Sequence, residues 1–263
     1  MKNFSETSAL KSNFSPDAYA SIEKQFNSVT SHVRTLCEHI QKRIVPYIDN
    51  KRFLDIGAGP GFVIHELLDY FNTVVAVDPN DSYASCYSTL SLVDKFTIIN
   101  KNFESVNFNK KFDFILCSHV LYHVPQNDWS VFIDKIIQLL SPKGRALLTL
   151  VAPRGEFHHL CNQINDKYSN SQVLQARLND IGLKYKISKV RNSYFYKSIY
   201  EITNLLRMFV IDDCFLPEEY SSLGQDKIVA IDQQIGKFVD KCYESEKDIY
   251  TFEIEEDYIE LHV

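Results

Sequence analysis

Short apolar runs alternating with helical segments predict an α/β fold, a mostly parallel, doubly wound sheet covered on both faces. Three observations carry that expectation. Arg52–Ile56, Thr73–Val77, Lys95–Asn100, Phe112–Cys117 and Arg145–Val151 are apolar runs of strand length. Between them, Phe62–Tyr70, Asp81–Leu92 and Trp129–Leu140 have helical length or periodicity. Three of the eight glycines, Gly57, Gly59 and Gly61, crowd the end of the first run.

The elements follow in order. Residues 17–48 carry Ile22, Phe26, Val29, Val33, Leu36, Ile40 and Ile44 at helical spacing, broken by Pro46, and read as one or two helices. Ser141-Pro142-Lys143-Gly144 is a turn that stops one helix and launches the fifth strand. A helix over Val173–Ile181 ends at Gly182, and Tyr185–Tyr196 is β-like. Helices over Ser198–Val210 and Gly224–Tyr243 precede a closing strand, Tyr250–Val263. There the apolar parity switches from Phe252 and Ile254 to Ile259, Leu261 and Val263, which predicts an inserted residue or a bend near Glu255–Asp257. The acidic residues of that tail, Glu253, Glu255, Glu256, Asp257 and Glu260, would suit a cationic substrate but read first as a charged sheet edge that resists aggregation. One domain spans residues 1–263, with a helical lid over 1–50, a core over 51–196, a helical insert over 197–248 and the last strand over 249–263.

Composition narrows the function. At 45% apolar and 24% charged, the 263 residues have a globular balance that excludes wholesale disorder. A net charge of −6 disfavours a phosphate backbone, so no nucleic-acid partner is expected. The six cysteines form no CxxC pair and no zinc spacing, and read as reduced, mostly buried thiols in a cytoplasm. No apolar run approaches the roughly 18 residues that span a bilayer, and the first residues have no signal-like apolar stretch. The expectation is a soluble, cytoplasmic protein with no membrane partner.

The glycine cluster carries the chemistry. Removing Cβ lets a loop turn sharply at the strand end and lets its backbone approach a ligand. A pyrophosphate site uses GxGxxG, whereas this loop reads Gly57-Ala58-Gly59-Pro60-Gly61, with Asp55 two residues ahead of it. A carboxylate there repels pyrophosphate and suits an ammonium or a sugar hydroxyl. Asp78 closes the second strand, where an acid accepts from both ribose hydroxyls, and Pro79 offers a flat apolar surface to a base.

With these residues the sequence resembles the class I S-adenosylmethionine (SAM) dependent methyltransferases. Leu54-Asp55-Ile56-Gly57-Ala58-Gly59-Pro60-Gly61 matches that family's first motif without a gap, and Val77-Asp78 its second. The stretch from Phe112 to Val124 looks like the fourth-strand motif, and Leu140 to Arg145 like the turn before the fifth strand. The resemblance covers about residues 50–152. It implies a seven-stranded sheet with an antiparallel last strand, the final two strands coming from residues 185–196 and 257–263. It also implies that the Asp55–Gly61 loop holds the methionine part of SAM and Asp78 the ribose. Asn102 and Phe103 stand where the family reaches the adenine, Asn102 replacing its usual Asp, and Ser118 and His119 line the cofactor pocket. A weaker resemblance to histamine N-methyltransferase and its relatives rests on the helical start, Leu178–Tyr185 and the long insert, and implies a small amine acceptor.

SAM brings an electrophilic methyl group, so transfer needs an aligned nucleophile, exclusion of water and, for some acceptors, a base. No metal is required, and His158-His159-x-Cys161 reads as a solvated helix face. His119, Tyr122 and His123 occupy a turn past the fourth strand. His123 is the candidate base, since imidazole titrates near about pH 6.5, although packing or capping that turn would equally explain it. Tyr19, in a lid with Phe14 and Phe26, joins Tyr122 and Tyr196 as candidate substrate contacts. The function expected is methyl transfer from SAM to N or O of a small molecule. Methylation of a protein or RNA, or SAM binding without transfer, stands as the alternative.

Overall fold

The computed structural model describes residues 29–262. Strands β1 (Arg52–Ile56), β2 (Thr73–Val77), β3 (Phe96–Ile99), β4 (Phe112–Ser118) and β5 (Leu140–Val151) run parallel. With β6 (Tyr185–Tyr196), β7 (Tyr243–Glu244) and β8 (Ile249–His262) they form one sheet in the order β3-β2-β1-β4-β5-β8-β6, while the short β7 pairs only with β8. β8 lies antiparallel between β5 and β6, with Leu148 and Ile187 flanking Ile259. The expected sheet with its antiparallel last strand is therefore present, lengthened by the two residues of β7.

Alternation of side chains sends each strand's residues to two layers. On one face Phe53, Phe114, Leu116 and Leu147 pack against α1 (His32–Arg43) and α2 (Phe62–Leu67) through Leu36, Ile40, Ile64 and Leu67. On the other, Leu54, Ile115, Leu148 and Ile259 meet α3 (Trp129–Leu139), α4 (Gly155–Ile164) and α5 (Ser171–Asp180) through Trp129, Ile133, Phe157 and Leu178. Between β6 and β8 come α6 (Ile199–Cys214), the short α7 (Pro217–Ser221) and α8 (Gln225–Lys241). Residues 29–31 lie along the end of β6, where Phe195 donates its amide to Val29 O and Ser31 donates its own to Ser193 O.

Several expectations are corrected. Asp81–Leu92 forms two 3-10 segments, Asp81–Tyr87 and Leu90–Leu92, instead of an α-helix. Ser82, Ser85, Ser88, Thr89 and Ser91 crowd that stretch, and hydroxyls compete with helical backbone bonding; Ser91 Oγ donates to Tyr87 O at 2.8 Å. Strand β8 pairs on both sides without a bulge or a break in register. Its parity switch has another cause: beyond Glu255 both faces are covered, so Tyr258 packs in one layer while Ile259 and Leu261 pack in the other. The acidic tail is no sheet edge either. Strand order buries it, and Glu256, Asp257 and Glu260 are each less than 10% exposed. Cys161 is buried, so His158-His159-x-Cys161 is not one solvated face; His158 instead bonds Tyr168 through Nδ1. All six cysteines are free thiols and all but Cys86 are buried.

A latch ties the N-terminal ends of β1, β4 and β5 together. The Asp113 carboxylate accepts from Arg52 N at 3.1 Å, Arg52 Nε at 2.8 Å and Ser141 Oγ at 2.6 Å. Burial opposes its ionisation, but Arg52 and Ser141 outweigh that and hold its pKa below the ordinary value. Asp113→Ala should cost about 2 kcal/mol at neutral pH, because it leaves the Arg52 and Ser141 donors short of their acceptor. A depressed folded pKa gives stability that is present above the unfolded carboxylate range and lost as pH falls through the folded value. The gap between wild type and variant in urea melts should therefore narrow below about pH 4. A gap that stays constant with pH would show that the charge of Asp113 contributes nothing.

Candidate functional site

The C-terminal ends of β1, β2 and β4 meet around the glycine loop. Gly57 and Gly61 have φ of +66° and +78°, in the left-handed region. A Cβ at Gly57 would lie 2.4 Å from Val120 Cγ2, and one at Gly61 would lie 2.6 Å from Tyr87 Cε1, so both positions exclude side chains on two counts. The loop is tied back to β2, since Gly57 N donates to Val77 O at 2.8 Å. Asp78 completes the clasp: Oδ2 accepts from Gly59 N at 2.8 Å and Oδ1 from Asn80 N at 2.9 Å. Tyr87 donates its hydroxyl to Gly59 O at 2.5 Å.

Two cavities adjoin at this loop and share Gly57, Gly59, Ser118, His119 and His123. One is walled by Asp78, Pro79, Tyr83, Asn102 and Phe103. The other continues from Asp55 to Tyr122, Tyr194, Phe209, Asp213 and Glu256. Every residue expected to bind cofactor therefore lines one cavity or the other, apart from Gly61, which caps the start of α2 behind the loop. Burial raises the pKa of Asp55 well above the ordinary value, and the charge of Asp78 raises it further. Burial also raises that of Asp78, against the opposing pull of the Asn80 and Gly59 amides and of His123. Ser118 Oγ and Thr149 Oγ1 share a hydrogen bond of 2.8 Å.

The expected substrate contacts fare unevenly. Tyr122 lines the second cavity and is buried, its hydroxyl accepting from Val151 N at 2.7 Å. Tyr196 lines neither cavity; it sits one strand repeat past Tyr194, in the apolar layer, and Tyr194 takes the position facing the site. Tyr19 lies outside the described residues, as do Phe14 and Phe26. His123 stands exposed at the junction of the cavities, at the end of a 3-10 turn over Leu121–His123.

Sequence reasoning missed a cluster in the second cavity. His32 Nδ1 lies 3.1 Å from Glu256 Oε1, and His119 Nε2 lies 3.4 Å from Glu256 Oε2. The imidazole rings meet edge to face, with centroids 5.1 Å apart. His119 has φ of +57°, a left-handed turn that swings its ring off the strand axis toward Glu256. Burial disfavours the Glu256 carboxylate, but His32 and His119 outweigh it and hold the pKa below the ordinary value. These residues come from α1, the end of β4 and the middle of β8, so no local spacing announces them. The one signal available was an acid in the middle of an apolar strand.

A family model described as a methyltransferase domain matches residues 29–182. An uncharacterized methyltransferase from Staphylococcus carnosus is 27% identical over 134 residues, which are 51% of this chain and 62% of that protein. A ubiquinone biosynthesis O-methyltransferase from Rickettsia canadensis is 27% identical over 120 residues, covering 43% and 50%. The chain thus matches between half and two thirds of the length of these relatives. In fold it is similar to a putative methyltransferase from Bacillus halodurans (TM-score 0.57, 14% identity, covering 86% of this chain and 97% of that one). YcgJ from Bacillus subtilis gives a TM-score of 0.56 at 19% identity, covering 86% and 98%. The [4+2]-cyclase SpnF shares the fold as well, at a TM-score of 0.54 and 14% identity, covering 86% and 80%. By the family model that spans more than half of its length, the chain belongs to the methyltransferase-domain family.

Proposed function

We propose that this protein transfers a methyl group from SAM to a nitrogen or oxygen of a small molecule, in line, across the junction of the two cavities. The observation that carries the reading is the pair Asp55 and Asp78 at the glycine loop: two buried acids whose pKa values burial raises, with the charge of Asp78 raising that of Asp55 further. That donor set fits a cationic ligand with hydroxyl groups and disfavours a phosphate. When bound, SAM supplies a methyl group made electrophilic by its sulfonium.

The chain supplies the rest. Asp78 uses one acceptor site on each oxygen for Gly59 and Asn80, and a carboxylate has about four, so acceptor capacity remains for ribose hydroxyls. Pro79 and Phe103 give apolar walls to a base, and Asn102 gives it a polar edge. Asp55 sets negative charge beside the backbone of the loop. Tyr122, Tyr194, Met208 and Phe209 make the second cavity an apolar, aromatic space that excludes water from an acceptor. Asp212 and Asp213 on its wall support a cationic acceptor such as an amine, held by charge and by ring faces. His119 and His123, at the junction, are placed to take a proton from the acceptor. Fold alone does not decide the reaction, because a cyclase shares it.

Incubating the protein with methyl-labelled SAM and cell extract, then sorting by size, tests the reading. Label should appear in small molecules; label confined to protein or RNA would replace the proposed acceptor class, and tight SAM binding with no label transferred would replace catalysis by binding alone. Asp78→Ala should weaken SAM binding by about 1–3 kcal/mol in calorimetry, while Asp78→Asn, which keeps one acceptor oxygen, should lose less. Equal affinity in all three proteins would remove Asp78 from the site.

Binding should also respond to pH in a defined direction. A cationic ligand favours the ionised form of Asp55, whose pKa is raised in the free protein. Affinity is then greatest above that raised pKa and falls as pH drops through it, with a proton released on binding in that window. Calorimetry in buffers of different ionisation enthalpy should detect the proton, and Asp55→Asn should abolish it. Tighter SAM binding in acid would contradict the assignment.

A further inference from the structure

We propose that His32, His119 and Glu256 form a site for one divalent transition-metal ion, of which zinc is a representative, on the wall of the second cavity. The inference goes beyond methyl transfer and does not rest on it. It revises the expectation from sequence that no metal takes part.

The three side chains stand close enough to share one ion. One nitrogen from each histidine and a carboxylate oxygen all lie within 4.8 Å of one another. Adjacent ligands at about 2.1 Å from a tetrahedral ion stand about 3.4 Å apart. His32 Nδ1 and Glu256 Oε1 are 3.1 Å apart, and His119 Nε2 and Glu256 Oε2 are 3.4 Å apart.

A further observation points to a ligand. His119 Nε2 and Glu256 Oε2 are buried and neither makes a hydrogen bond among the described residues, although they face each other. Buried polar atoms without partners are rare, and an ion between them would satisfy both. His32 Nδ1 lies 3.1 Å from Glu256 Oε1 and 3.3 Å from Asn192 Nδ2.

The frame is rigid. Glu256 sits on a strand paired on both sides, opposite Val151 and Val190. His119 donates its backbone amide to Thr149 O at 3.1 Å, and the start of α1 is held by the pairing of Ser31 with Ser193. Two imidazoles and one carboxylate suit zinc, iron or manganese, whereas magnesium and calcium favour all-oxygen shells. Three protein ligands leave a coordination position open, and all three residues line the cavity that holds Tyr194 and Asp213. An oxygen or nitrogen of a small molecule in that cavity would fill it.

The test is zinc titration of the full-length, chelator-stripped protein by calorimetry, with no SAM present. One equivalent should bind with micromolar affinity or better. Glu256→Gln and His119→Ala should each weaken binding at least about tenfold, whereas the double variant His158→Ala/His159→Ala should bind as wild type does. Circular dichroism identifies any variant that fails to fold. Cobalt(II) added to the stripped wild type gives a readout that needs no variant, and should show visible bands of a four- or five-coordinate site. Absence of binding by the stripped wild type, octahedral-only cobalt spectra, or affinity unchanged in folded Glu256→Gln and His119→Ala would each overturn the proposal and leave a proton-bridged His–Glu–His cluster. Because no outcome depends on SAM, failure here leaves the methyltransferase reading untouched, and failure of that reading leaves this one.

Discussion

The last strand runs through the middle of the sheet with five acids on it, and the four that are buried or half-buried, Glu255, Glu256, Asp257 and Glu260, must each find a cation there. Burying a carboxylate without compensation costs several kcal/mol, more than a small domain can tolerate repeatedly. Glu255 pairs with Arg154 and Arg191, Asp257 with Arg154 and Ser171, and Glu260 with Arg145. Glu256, on the opposite face from Glu255 and Asp257, takes His32 and His119. A slip of one residue would exchange the faces and strand every charge, so the pairs fix the register of β8 against β5 and β6. They also fix α1 and the segment before α4, since His32 and Arg154 are anchored to the same strand.

The acids of the glycine loop obey the opposite rule. Asp55 and Asp78 are buried at strand ends as well, yet what acts most on Asp55 after burial is the like charge of Asp78. Backbone amides satisfy Asp78 only in part. On the tail strand the protein supplies the compensating charge; at the loop the compensation is left to whatever binds. Such a site is poorly stabilised when empty, and that is the condition under which a cationic ligand gains most from entering it.

How much was legible in the sequence follows from whether the physics is local. A strand ending in Asp55 and three glycines at alternate positions is a local signal, because turn geometry and close approach are decided within a few residues. Strand–helix alternation is local too, and β1 to β4 and β6 appear where the apolar runs place them, whereas β5 starts at Leu140 and runs through the stretch 141–144 expected as a turn. The stretch 81–92 misled because its length favoured a helix while its hydroxyls favoured tighter turns. The closing strand misled for a deeper reason. A run of acids at a chain's end looks like an exposed edge unless the strand order is known, and strand order is a property of the whole sheet. The same applies to Tyr194 against Tyr196: both point to the same side, and only the position of the cavity along β6 separates them.

The cluster of His32, His119 and Glu256 shows what long-range topology adds to a local motif. Each residue has a conventional explanation alone: a helix start, a strand end, a charged strand. Inserting β8 beside β5 brings Glu256 level with Val151, next to the rim where β4 ends, and the left-handed backbone of His119 turns its ring across that gap. His119, which lines both cavities, is thereby also the residue that stands 3.4 Å from Glu256. A change of charge at Glu256 therefore acts on the wall that the two cavities share.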